Sequence, residues 1–398
     1  MIIKMLPAKQ GDSFLISFEN GKNMLIDMGY RDTYKEFIRP ELKAIKEKGQ
    51  CIDLLVITHI DADHIGGAIE FFKENKYASN PNVVDVKEIW YNCFLHLRTD
   101  WLPHEKRVDK ISFEQESQMK RVIQSRLSDF DIENGTRNIS IHQGDTLAGY
   151  LYHYGYKELW NSSFQGQAVC KEDGGYIRIG DIEVKVLSPD NDSLKSLAKC
   201  WLRDLRMNYI CYQWSNEELF DDYYETFARN IVEEKTKTKN ISAIYKKLKY
   251  FLAHPNAIEK EEQDISNTNG TSIAFEISYD GKRALFLSDA HESIIMKSLG
   301  EREEDDFDIV KVSHHGSCHN NFDWIEKVNA RRYLFSTNGA KDGHPSLLVI
   351  AKIILSSYKQ KELYFNYEIE SIKSQIDDDE LKKRYFYNTH WCEKKIEV

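Results

Sequence analysis

The stretch from Leu54 to Gly67, L-L-V-I-T-H-I-D-A-D-H-I-G-G, constrains this chain more than any other. The apolar run Leu54 to Ile57 reads as a buried strand. It ends abruptly in His59, Asp61, Asp63 and His64, and Gly66-Gly67 then open a helix predicted over 65–75. Successive side chains of an extended segment alternate in direction. His59, Asp61 and Asp63 can therefore converge on one point while His64 reaches a second. One loop of this kind can serve two metal ions ~3.5–4 Å apart, the spacing of two-metal hydrolytic sites. A polar turn that caps the next helix would explain any one of these residues. It explains all four together poorly.

The pattern T-H-x-D-x-D-H-x-G-G resembles the metal loop of the metallo-β-lactamase fold superfamily, usually H-x-H-x-D-H, with Asp61 in place of the second histidine. That variant resembles the ComEC-type branch and the related phosphorylcholine esterases. Further motifs follow in order. Gln10-Gly11-Asp12-Ser13 and Leu25-Ile26-Asp27-Met28-Gly29 resemble the family's opening, where Asp27 either supports the metal loop or is an ordinary turn residue. Asn269-Gly270-Thr271-Ser272 resembles the same branch. The strand Ala284 to Leu287 delivers Ser288-Asp289, the family's bridging-carboxylate position, with Ser288 where glycine is usual. His314-His315-Gly316-Ser317 is the most branch-specific feature after the loop, and Gly343-His344-Pro345 resembles the last ligand turn. The strand 182–187 ends in Ser188-Pro189-Asp190 with no third-motif histidine; Asp190 is a weak substitute.

The resemblance implies an α/β, four-layer αββα metallo-β-lactamase fold with a helical insertion. The hydrolase domain would span 1–366, interrupted by an irregular insertion at 98–175 and a helical one at 193–262, with 367–398 as a C-terminal extension. It also implies a ligand set. One metal would take Asp63, His64 and His344. The other would take His59, Asp61 and one histidine of the H-H-G-S turn, and Asp289 would bridge them. His315 is the favoured ligand of that turn, with His314 facing the substrate, and the reverse stays open. So many carboxylates shift preference from zinc toward manganese, while the imidazoles keep zinc in play. A metal-bridging hydroxide would attack a phosphorus or carbonyl centre, and His314 would protonate the leaving alkoxide. Asp63 and His314 are thus the expected catalytic residues. The implied substrate is a phosphodiester, with DNA favoured and a role in bacterial defence suggested by soluble relatives. Two alternatives stand beside this: a small-molecule phosphodiester or ester metallohydrolase, and a non-catalytic interaction protein on the same fold.

The 398 residues are ample for a core, and the net charge is -10. That charge weighs against a broad grip on duplex nucleic acid, whose binding proteins carry basic surfaces. No apolar run reaches the ~18–20 residues of a membrane span. Met1 to Pro7 reads as a strand and not as a signal peptide. The seven cysteines are widely spaced with no C-x-x-C, which fits free thiols in a reducing cytoplasm. Short strands are predicted at 2–6, 13–18, 23–27 and 52–57, and an amphipathic helix at 32–48. The 193–262 insertion interleaves Trp201, Tyr209, Tyr212, Trp214, Tyr223 and Tyr224 with Lys235, Lys237, Lys239, Lys246, Lys247 and Lys249. It reads as a helical cap with a solvated face, or as a stacking surface for single strands. The insertion and the tail are also the expected docking surfaces for a protein partner. His96, His104 and His142 are expected to be surface or supporting residues.

Overall fold

The computed structural model describes residues 1–97, 101–133, 146–173, 176–208, 213–230, 247–300, 305–340, 343–356 and 360–398. In chain order its strands are β1 (Ile2–Met5), β2 (Phe14–Ser17), β3 (Asn23–Ile26), β4 (Leu54–Val56), β5 (Ile89–Trp90), β6 (Tyr176–Ile179) and β7 (Ile182–Ser188). They continue with β8 (Ala274–Tyr279), β9 (Lys282–Phe286), β10 (Asp305–Lys311), β11 (Val328–Phe335), β12 (Lys361–Phe365), β13 (Tyr387–Trp391) and β14 (Ile396–Glu397). Two compact units result. The first joins Met1–Gly21, Cys170–Asp190 and Glu234–Val398; the second joins Lys22–Val169 and Asn191–Glu233.

In the first unit, eight strands pair in the order β13-β12-β11-β10-β9-β8-β7-β6. β6 to β9 run antiparallel, β6–β7 and β8–β9 as hairpins, and β9 to β13 run parallel. Parallel neighbours need crossover connections, supplied here by helices such as Glu292–Leu299 and Leu347–Leu355. Both β10 and β11 end in three consecutive buried residues, as a sheet covered on both faces requires. Val310, Tyr333, Phe335, Leu363 and Phe365 pack with Val349, Ile350 and Ile353 in one core. The register sets Phe286 opposite Lys311 and Lys311 opposite Leu334. The segments that follow β9, β10 and β11 therefore leave the sheet at one edge. In open α/β sheets, that carboxyl edge is where ligands bind.

Residues 367–398, set apart above as an extension, supply helices Glu370–Ile376 and Asp379–Tyr385. They then supply β13, parallel to β12, and β14, antiparallel to β1. β1 also pairs antiparallel with β2.

In the second unit β3, β4 and β5 pair in parallel. The helix after β4 runs Ala62–Asn75 and starts earlier than its glycines suggest. Gly66 and Gly67 do not open it. They sit in its second turn, where the helix lies against backbone: a Cβ on Gly67 would stand 2.0 Å from the Met28 carbonyl oxygen. The expected helix over 32–48 forms as Arg31–Thr33, a wider turn at Tyr34–Ile38, and Arg39–Glu47.

The insertion forms helices Asn191–Asn208 and Leu219–Arg229 in this unit. Four of the aromatic residues named for it are interior and do not form a stacking surface: Trp201, Trp214, Tyr223 and Tyr224 are all buried. Trp201 packs on Phe94 at 4.7 Å, and the Trp214 indole donates to the Pro103 carbonyl at 3.0 Å. Burying these rings is what holds a helical cap together. Tyr209, Tyr212, Lys235, Lys237, Lys239 and Lys246 lie outside the described residues, as does His142. His96 is not a surface residue. Its ring is buried against Trp160 at 4.5 Å, and Nδ1 accepts from the Cys93 amide at 3.2 Å. Burial pushes its pKa down to about 3, so it stays neutral. No helix among the described residues is long and apolar enough to cross a membrane.

Candidate metal centre

The loop after β4 carries its ligand types on a braced backbone. Asp27 follows β3 with φ of 53°, a region costly for a residue with a Cβ. What holds it there is a set of hydrogen bonds. Its Oδ1 accepts from the Thr58 amide at 2.8 Å, and its Oδ2 accepts from the Thr58 hydroxyl at 2.7 Å. Oδ2 also accepts from His64 Nδ1 at 2.8 Å. Of the two openings left by the sequence, Asp27 is thus the support of the loop and not a bare turn residue. A carboxylate on Nδ1 fixes the imidazole tautomer and leaves Nε2 to ligate, as in carboxylate–histidine–metal arrangements. His59 lies beside it, with ring centroids 4.0 Å apart, and its Nε2 is 3.9 Å from Asp61 Oδ2. Asp61 occupies the N-cap position of Ala62–Asn75, yet its side chain makes no capping hydrogen bond. The plain capping explanation therefore fails for the residue best placed to satisfy it. Asp63 sits in the first helical turn, half-buried.

The carboxyl edge of the large sheet gathers a second group. Ser288 has φ of 48°, the left-handed region that favours glycine, which gives a reason for the family's usual residue there. Its carbonyl accepts from the His314 amide at 2.8 Å and from Lys311 Nζ at 3.1 Å. Asp289 follows, buried. His314 Nε2 lies 3.8 Å and His315 Nε2 lies 3.5 Å from Asp289 Oδ2. His315 Nδ1 donates to the Ser336 carbonyl at 2.8 Å, so Nε2 is again the nitrogen that could ligate a metal. His344 is brought in by a glycine. Gly316 has φ of 88°, and a Cβ there would stand 2.7 Å from Pro345 Cβ. The two turns lie against each other, the Ser346 amide donating to the Gly316 carbonyl at 3.0 Å. The His314 and His344 rings end 5.4 Å apart.

Electrostatics divide these histidines. Burial alone would lower the His314 pKa. The Asp289 and Asp264 carboxylates outweigh it and push the ring up to about 9. His344 is held well below the ordinary value by burial, with the neighbouring His314 and His315 adding to the effect. It is a neutral donor. Asp264 would be raised by burial, but its bonds to His314 and the charge there hold it well below the carboxylate range.

Four residues here escaped the sequence reading. Asp12, in the opening turn, ion-pairs with the buried Lys311, and Lys311 Nζ is also 3.7 Å from Asp289 Oδ1. Asp12, Asp289 and His315 bring ligand atoms within 4.8 Å of one another and could hold a metal ion. Asp264 and Asn320 surround His314. Asp12 had a signal, its place in the Gln10-Gly11-Asp12-Ser13 turn; the other three had none. Asp190 faces Lys171 at 4.0 Å.

The described residues form a mixed α/β fold with His/Asp groups that could hold a metal ion. Residues 6–101 match the model of the metallo-beta-lactamase superfamily, whose members are mostly metal-dependent hydrolases. The fold class expected from the sequence is the one observed. Among solved structures, the metallo-beta-lactamase fold protein YhfI from Bacillus subtilis is similar at 9% identity, with 100% of this chain and 99% of that chain covered and a TM-score of 0.32. A search of curated proteins found no match.

Proposed function

We propose that this protein is a metal-dependent phosphodiesterase of the ComEC-type branch, with DNA as its favoured substrate. The observation that carries the reading is the repeated tethering of histidine through Nδ1. His64 is held by Asp27 at 2.8 Å and His315 by the Ser336 carbonyl at 2.8 Å, so each presents Nε2. Metal-ligating histidines almost always have this arrangement. The donor set fits divalent ions: carboxylate oxygens and neutral imidazoles suit manganese or zinc. His59, Asp61, Asp63 and His64 would hold them from the loop, with Asp289, His315 and His344 from the sheet edge. When bound, two such ions acidify a water and polarise the phosphoryl oxygens.

The chain's own residues supply the rest. Asp289, as an ionised carboxylate, would bring two oxygens to a bridging role. His314 holds a proton at the same edge, where it meets the leaving alkoxide or a phosphate oxygen. The net charge of -10 favours a second reading, a small phosphodiester substrate, over long duplex DNA.

The test is paired. Metal-stripped wild type and Asp63→Ala are reloaded with Mn²⁺ or Zn²⁺ and given single-stranded DNA, duplex DNA, RNA and bis-p-nitrophenyl phosphate. Cutting of polymer by wild type and not by Asp63→Ala is expected. Cleavage of the small ester alone moves the second reading ahead. No cleavage of any of them by fully loaded wild type rejects the phosphodiesterase reading.

A further inference from the structure

Around His314 lies a buried polar group that the proposed chemistry does not use. Asp264 and Asn269 come from one stretch of the first unit and Asn320 from another. Asn320 is fully buried, and Asn269 nearly so. Asp264 Oδ2 accepts from Asn269 Nδ2 at 2.7 Å and from Asn320 Nδ2 at 3.1 Å, while its Oδ1 accepts from the Ser266 amide at 2.9 Å. An ionised carboxylate only accepts. Both carboxamides must therefore turn their NH₂ groups toward it. For Asn320 this leaves a single orientation, with Oδ1 facing His314 Nδ1 at 3.0 Å. A carboxamide oxygen is an acceptor, so Nδ1 of His314 must carry a hydrogen. Asp264 Oδ2 also lies 3.5 Å from that nitrogen.

We propose that Asp264 is the positioning residue for His314, acting on Nδ1–H directly and through the Asn320 carboxamide. The carboxylate sets the amide, carboxylate and amide together hold Nδ1–H, and the ring is fixed with Nε2 toward Asp289. This is the logic of an acid or base oriented by a third group. Asp264 touches no substrate in this scheme. Its effect is on how the His314 ring is set. The His315 ring is set by a different route, a backbone carbonyl on Nδ1.

The hydrogen bond at Nδ1 can be read without any activity, and the kinetic consequence rests on the phosphodiesterase reading above. The first measurement is long-range ¹H–¹⁵N correlation on the histidine-labelled, metal-stripped full chain. Wild type is expected to show a slowly exchanging, hydrogen-bonded Nδ1–H on His314. In Asp264→Asn the amide at 264 can donate as well as accept, so Asn320 is released. The Nδ1–H signal of His314 should be lost to exchange with water, while that of His315 stays. The second measurement is on metal-loaded protein: kcat for bis-p-nitrophenyl phosphate should fall ~10–100-fold, with KM and metal content unchanged. Asn320→Ala removes the acceptor directly and should give both changes, which covers the case in which Asp264→Asn does not fold. A His314 Nδ1–H signal unchanged in both variants overturns the proposal. So does a loss of activity that is matched by loss of metal or by a rise in KM alone. If wild type cleaves nothing, the phosphodiesterase reading fails, and the Nδ1–H measurement still decides the role of Asp264.

Discussion

At the scale of single residues, the centre depends on groups that bind nothing themselves. Asp27 holds a left-handed backbone, two donors from Thr58 and the Nδ1 of His64. Replacing it with asparagine keeps the shape and removes the charge. It also leaves one oxygen where three donors now share two. The expected outcome for Asp27→Asn is a metal affinity lower by ~10–100-fold with the fold retained. Competitive titration with a chromophoric chelator, alongside circular dichroism, would measure both. Unchanged affinity would mean that the Asp27–His64 bond serves packing alone. The sequence offered Asp27 as one of two even choices because a turn residue before glycine looks the same in either role. Only the partners across the loop separate them. Asp264, Asn320 and Lys311 show the limit more sharply. Each is a lone polar residue in an unremarkable stretch, and its meaning lies in what the fold sets beside it.

At the scale of elements, the helix Leu219–Arg229 brings a charge problem into the second unit. On it Asp221 is buried and Asp222 half-buried. Asp221 accepts from the Leu95 amide at 2.6 Å and the Tyr152 hydroxyl at 2.7 Å, while Glu225 takes the Leu147 and Ala148 amides that begin helix Leu147–His153. Burial outweighs these bonds and pushes Asp221 up to about 6; burial likewise pushes Asp222 up to about 6. The ordinary value is about 3.8. With the folded pKa above the unfolded one, the native state binds more protons between these values. Stability contributed by these two groups therefore falls as pH rises from about 4 through about 6. Asp221→Asn keeps one oxygen for the Leu95 amide, turns its NH₂ to the Tyr152 hydroxyl oxygen, and cannot ionise. Its melting temperature relative to wild type should be higher at pH 7.5 than at pH 5. An equal difference at both values would place the titration elsewhere. The same helix was legible as helical from its periodicity, but its aromatic residues were open to two interpretations. Periodic rings look alike whether they pack inward or stack on a ligand; Trp201, Tyr223 and Tyr224 pack inward.

At the scale of the whole molecule, the motifs were legible because each is contiguous: a strand, a tight turn and the residues the turn exposes. The β9, β10 and β11 exits share one sheet edge, which explains why three separate turns could be read as parts of one chemistry. The strand content of the last thirty-odd residues was not legible, since β13 and β14 gain their meaning from β12 and β1 as neighbours. Charge is the property that bears on substrate at this scale. A chain with net charge -10 that nonetheless grips a polymer must do so through a local basic surface. Each phosphate it neutralises contributes about -0.9 to the slope of log affinity against log salt for duplex DNA, and about -0.7 for single strands. A small diester offers one phosphate, so its KM should vary little over the same range. The comparison is therefore between two substrates on one enzyme, measured from 50 to 200 mM salt. For a nuclease that binds several phosphates, KM for DNA should rise steeply while KM for bis-p-nitrophenyl phosphate stays nearly level. Parallel, shallow slopes for both would show that the site reads a single phosphodiester. DNA would then be cut only as a poor stand-in for a smaller substrate.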